Sequence, residues 1–143
     1  MVIGIIGESC VGKSTFAAEL SKQLSAEVYT GKDYLRLAKN EAIAGKLFEK
    51  KLTAAVAGEH ILYVIAEKEL LSLLPEGAVT VLMTADLPLI LERFALRMRG
   101  NLPEPVKQML EKKHGCFDNG TYDYRIHNCE AVDDVIQMIC GRV

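Results

Sequence analysis

The chain has 143 residues, half hydrophobic and a quarter charged, with a formal net charge of −2. That length reads as one domain, residues 1–143, with its own core, and the slightly acidic balance argues against a nucleic-acid coat or a polybasic membrane binder. Cys10, Cys116, Cys129 and Cys140 form no C-x-x-C pair, and no apolar run approaches the ~20 residues that cross a bilayer, so reduced thiols in a cytoplasmic protein are expected, with no secretory signal at the start.

The first element is "VIGII" (2–6), a short unbroken apolar run of the kind found in a strand buried on both faces. It leads into Gly7-Glu8-Ser9-Cys10-Val11-Gly12-Lys13-Ser14, which satisfies G-x-x-x-x-G-K-[ST] at every fixed position. The spacing has a chemical reason. A glycine-bracketed loop turns successive backbone N–H groups inward as an anion nest, and the helix that follows presents its positive end to the same point. Lys13 then reaches the β- and γ-phosphates of ATP, the Ser14 hydroxyl ligates Mg²⁺, and Thr15 adds a hydroxyl at the α-phosphate. Cys10 is either a variable loop position or a thiol activated by the loop's dipoles.

Phe16, Leu20 and Leu24 recur at four-residue spacing and mark a helix over 13–24. "EVYT" (27–30) reads as a second strand. Residues 33–52 read as helical, with Leu35, Ile43, Leu47, Phe48 and Leu52 apolar and Gly45 as an interruption. "ILYVIA" (61–66) and "AVTVLMT" (78–84) are buried strands, separated by a short helical "EKELLSLL" and a Pro75-Glu76-Gly77 turn. Asp86 caps a helix whose stripe is Ile90, Leu91, Phe94, Ala95 and Met98. A further helix over 104–114 stops at Gly115. "YDYRIHN" (122–128) alternates as an edge strand, and an amphipathic helix through Val132, Val135, Ile136, Ile139 and Cys140 closes the chain. Strand–helix alternation of this kind builds right-handed crossovers and a parallel sheet, with ligands at the carboxyl ends of the strands.

No N-K-x-D segment for guanine is present, and the third strand ends in Glu67 rather than aspartate. "YTGKDYLRLA" (29–38) resembles the T-G-D-x-L-R-x-A stretch of nucleoside-monophosphate kinases, with Lys32 as an extra residue. "LERFALRMRG" (91–100) resembles their lid-entering helix, and "YDYRIHN" with "AVDDVIQMI" resembles their last strand and helix. The order and spacing are most similar to cytidylate kinases and cytidylate-kinase-like proteins.

The resemblance implies a three-layer α/β/α P-loop fold. Its five-stranded parallel sheet has the order 2-3-1-4-5, and a short lid lies at about 98–118. It implies transfer of the ATP γ-phosphoryl group to a small acceptor, a nucleoside monophosphate, by a monomer or small homo-oligomer. Arg93 and Arg97, four apart on one helix face, would converge on the transferring phosphate; Arg99 is left undecided. Arg36 would bind the acceptor's phosphate. Asp33 orients an acceptor group or a magnesium-bound water, or else only caps its helix, and Glu67 either joins the metal shell of Ser14 or begins the next helix. Lys112, Lys113 and His114 read as a solvated helix end, and His60 and His127 receive no chemistry. "AEKELL" (66–71) has neither the Gly-Pro-Arg of adenylate kinases nor the Gly-Arg-Asp of cytidylate kinases. A small-metabolite kinase of shikimate-kinase type and a nucleotide-binding regulatory module without catalysis are the alternatives.

Overall fold

The computed structural model describes residues 1–143. The strands are β1 (Val2–Ile6), β2 (Glu27–Thr30), β3 (Ile61–Ile65), β4 (Val79–Thr84) and β5 (Tyr124–His127). They form one sheet in the order β2-β3-β1-β4-β5, parallel throughout, with Val2 opposite Ile61 and Ile3 opposite both Leu62 and Val79. The helices are α1 (Lys13–Leu24), α2 (Glu41–Ala55), α3 (Leu87–Arg97), α4 (Glu104–Lys113) and α5 (Val132–Cys140). The expected sheet order and its central first strand are therefore present.

Strict alternation along β1 divides the interior in two. Ile3 and Ile5 face a cluster of 20 buried residues that includes Phe16 and Leu20 of α1 and Val135, Ile136 and Ile139 of α5. Val2 and Ile6 face a second cluster of 14, built around Phe48 and Leu52 of α2. Phe48 is the hub of the second cluster, with ring centroids 4.9 Å from Tyr29, 5.2 Å from Tyr34 and 4.9 Å from Tyr63. Because both faces are covered, β1 and β3 have no polar side to expose, which is why they read as unbroken apolar runs.

Three local expectations are corrected. Residues 33–52 are not one helix: a 3₁₀ turn spans Asp33–Leu37, Ala38 is extended (φ −158°, ψ 159°), and α2 starts afresh behind Asn40. The Asn40 side chain accepts a hydrogen bond from the Ile43 N–H at 3.1 Å, an N-cap that makes the restart favourable. Gly45 lies inside α2 and does not interrupt it, and Leu35, Ile43 and Leu47 are exposed because the buried stripe is Ala44, Phe48, Leu52 and Ala55. The short helical segment expected after β3 is present as a 3₁₀ helix over Lys68–Leu73. Finally, Asp86 precedes α3 but makes no side-chain cap; its carboxylate is held by His127 and Asn128 instead.

Candidate active site

The loop between β1 and α1 lies at the carboxyl end of the sheet, and its shape is enforced by contacts at both ends. The Gly7 N–H donates to the Ile65 carbonyl at 3.1 Å, continuing the β1–β3 ladder by one residue. A Cβ at Gly7 would stand 2.4 Å from the Met83 carbonyl oxygen and 2.9 Å from Val11 Cγ2, so only glycine fits between the two strands. At the far end Gly12 turns the chain into α1 with φ 100°, and Cys10 is left-handed at φ 64°. Backbone amides at the crest are thereby freed from the sheet and gathered beneath the N-terminus of α1.

Lys13 is the one charged side chain buried in the molecule, 8% exposed. Its ammonium donates to the Glu8 carbonyl and has no carboxylate partner at ion-pair distance. Burial pushes its pKa down to about 8, opposed by Cys10 and reinforced by the nearby charge of Arg97. A buried cation with no anion of its own, facing a nest of amides, fits a phosphate chain.

From α3, Arg93 Nη1 donates to the Cys10 carbonyl at 2.9 Å, tying the arginine to the crest of the loop. One turn on, Arg97 lines the cleft with Lys13, Ser14 and Glu67. That cleft holds about 250 Å³ and extends past Thr30 and Gly31 to Leu70. A neighbouring hollow of about 330 Å³ is bounded by Cys10, Thr15, Arg93, Arg97 and Cys129. It adjoins a wider groove of about 820 Å³ between α1 and the start of α5. Ser14 and Thr15 stand exposed on the first turn of α1. Glu67 begins the 3₁₀ turn with extended backbone and no side-chain cap, leaving its carboxylate free. No group of three His, Cys, Asp or Glu side chains is placed to cage a metal. A hydroxyl and one carboxylate facing a phosphate nest suit a magnesium ion that arrives on phosphate oxygens.

The structure brings Gly7 through Thr15, Arg93, Arg97 and Glu67 to one end of the sheet. It does not bring Arg36 there. The Arg36 guanidinium lies 4.5 Å over the Tyr29 ring and 3.8 Å from the Glu27 carboxylate, outside the cleft. Asp33 Oδ2 accepts from the Thr30 N–H at 3.0 Å, so one of its oxygens fastens β2 to the 3₁₀ turn while the other stays free of protein partners. Arg99, left-handed at φ 60°, is exposed, and its side chain makes no hydrogen bond or ion pair.

Two contacts had no signal in the sequence. The Glu8 side chain, only 10% exposed, accepts from the Gly115 N–H at 3.0 Å and meets His114 Nδ1 at 3.2 Å, fastening the end of α4 to the start of the phosphate loop. The expectation of a solvated helix end at His114 is corrected accordingly. His127 is likewise partnered, by Thr84 Oγ1 at 2.8 Å and Asp86 Oδ1 at 3.1 Å. These hydrogen bonds to His127 and Asn128 hold the Asp86 carboxyl below the ordinary carboxylate range. Alongside, Cys129 Sγ donates to the Val11 carbonyl at 3.5 Å. Partners 106 and 41 residues apart share no periodicity that would announce them.

No protein-family model matches the chain, and no curated protein matches it in sequence. Solved structures do share its fold. Shikimate kinase of Acinetobacter baumannii, in complex with shikimate, is 15% identical, with 99% of this chain and 93% of that chain covered and a TM-score of 0.64. A gluconokinase of Sinorhizobium meliloti is 11% identical over 98% of this chain and 89% of that one, at 0.60. The YorR protein of Bacillus subtilis, in complex with phosphorylated GDP, is 22% identical over 99% and 95%, at 0.62. The chain thus has the five-stranded P-loop fold found in small-molecule kinases.

Proposed function

We propose that the protein is an ATP-dependent phosphotransferase acting on a small acceptor. The observation that carries this reading is Lys13, a buried and unpaired cation inside the loop, with Arg97 lining the same cleft and Arg93 tied to the loop's crest from α3. The loop amides and Lys13 hold the β- and γ-phosphates in place. Magnesium, held by Ser14 with Glu67 in its outer shell, would neutralise charge between those phosphates when bound. Arg93 and Arg97 face the equatorial oxygens of the transferring group, where positive charge lowers the barrier without covalent chemistry. Asp33 orients the acceptor from the end of β2, and the segment 98–118 closes over the phosphates and excludes water.

The likenesses by themselves point to two acceptor classes. A nucleoside monophosphate agrees with the resemblance to cytidylate kinases, and a small metabolite agrees with the shikimate- and gluconate-directed neighbours. The test is titration calorimetry with Mg-ATP followed by a coupled assay of ADP release with acceptors from both classes. Binding together with acceptor-dependent ADP release is the expected result. Binding without release on any acceptor would replace this reading with a nucleotide-binding module that lacks catalysis. No heat from Mg-ATP on folded protein would remove both.

A further inference from the structure

Resting on the phosphotransferase reading, and narrowing it, we infer that the acceptor is a small hydroxyl compound carrying no negative charge. The first ground is space. The cleft that holds Lys13, Ser14 and the acceptor wall amounts to about 250 Å³ in all, less than the ~300 Å³ at which sites for drug-sized ligands begin. Part of that volume belongs to the transferring phosphoryl group, since Ser9, Lys13 and Ser14 line it.

The second ground is charge. An anionic acceptor needs a cation of its own, because Lys13 and Arg97 already face the donor phosphates. No other cation lines the cleft. Arg36, which the resemblance would assign to an acceptor phosphate, is occupied by Glu27 and stacked on Tyr29. Lys68 follows Glu67 in sequence, yet its side chain is absent from the cleft wall.

What the acceptor end does offer is neutral or acidic. Thr30, Val64, Ala66 and Leu70 form its wall, with Glu67 at the rim. Behind Gly31, the Tyr63 hydroxyl donates to the Gly31 carbonyl at 2.7 Å. Burial raises the pKa of that hydroxyl, and the neighbouring Tyr34, Glu67 and Asp33 raise it further. A carboxylate or phosphate ester entering here finds no side-chain cation beyond Lys13 and Arg97, which face the donor phosphates. A hydroxyl group meets acceptors for its proton.

The transfer balances without a further reactant. The acceptor oxygen forms its bond to the γ-phosphorus of ATP, the bond from that phosphorus to the β–γ bridging oxygen breaks with its electron pair going to ADP, and the hydroxyl proton is released to solvent.

The experiment measures ADP release from Mg-ATP with three sets of acceptors at equal concentration. The sets are nucleoside monophosphates; the hydroxy acids shikimate and gluconate; and the uncharged or cationic alcohols glycerol, myo-inositol, glucosamine and ethanolamine. Turnover is expected in the third set, with kcat/KM at least tenfold above the other two. Arg36→Ala should leave the acceptor KM within twofold. Ala66→Lys, an exposed position on the cleft wall, should raise turnover of the hydroxy acids at least tenfold. Faster turnover of monophosphates or hydroxy acids by the unaltered protein, or a tenfold rise in acceptor KM in Arg36→Ala, overturns this inference and leaves the phosphotransferase standing. Mg-ATP binding with no turnover in any set overturns the phosphotransferase itself, and this inference with it.

Discussion

Replacing Lys13 by methionine should stabilise the ligand-free protein while abolishing its grip on nucleotide. Burial takes the lysine from the ordinary 10.5 to about 8, so keeping the ammonium charged in the folded state costs about 3 kcal/mol. Methionine fills similar space without the charge but gives up the charge-assisted hydrogen bond to the Glu8 carbonyl, worth about 2 kcal/mol. The net gain is about 1 kcal/mol at pH 7, a rise in Tm of roughly 3 °C for a chain of this size. The sign with pH is definite. A lysine whose folded pKa lies below its unfolded value binds fewer protons when folded, so its penalty is complete below about pH 8 and fades as pH rises toward 10.5. The unaltered protein should therefore gain stability relative to Lys13→Met across that interval. Tyr63 titrates in both proteins, so the difference isolates the lysine. Urea unfolding at pH 7, 9 and 10 measures it, and Mg-ATP at 100 times Kd should reverse the ranking by adding about 2.7 kcal/mol to the lysine protein alone. A methionine variant no more stable than its parent without ligand, or one with the same pH slope, would refute the reasoning.

Gly7→Ala should cost about 2–3 kcal/mol of stability and weaken Mg-ATP more than tenfold, because the new methyl group meets the Met83 backbone rather than a movable side chain; denaturant midpoints and calorimetry check it. Arg93→Ala should lower kcat about 10²-fold in single-turnover assays, with little rescue by lysine, whose single ammonium cannot span the Cys10 carbonyl and a phosphate oxygen together. Tyr63→Phe strands the Gly31 carbonyl beside the cleft and should cost about 1–2 kcal/mol by urea unfolding, raising acceptor KM while ATP affinity stays unchanged.

The legible parts of this molecule were those written locally. Continuous apolar runs gave β1, β3 and β4, the four-residue spacing of Phe16, Leu20 and Leu24 gave α1, and the glycine–lysine–serine spacing gave the loop. Residues 33–52 misled because helical periodicity continues across a break made by one extended residue, Ala38, and one side-chain cap, Asn40. Lys13, Arg93 and Arg97 come to one end of the sheet because helix geometry fixes their direction relative to the motif. Arg36 lies outside the cleft because its surroundings are set by Glu27 and Tyr29, neighbours across the edge of the sheet. The pairing of Glu8 with His114 and Gly115 exists only once α4 has returned to the loop, and nothing along the chain encodes that return by pattern.

The division of the interior by β1 reaches beyond packing. Cys10 and Val11 of the phosphate loop are rooted in the cluster shared with α1 and α5, whereas Tyr34, Tyr63 and Leu70, which back the opposite wall, belong to the cluster centred on Phe48. Drift in one reservoir of side chains leaves the other nearly undisturbed, since a layer of backbone hydrogen bonds separates them. On the proposed phosphotransferase reading, substitutions around α2 would reshape the acceptor end of the cleft and leave the phosphate loop in place.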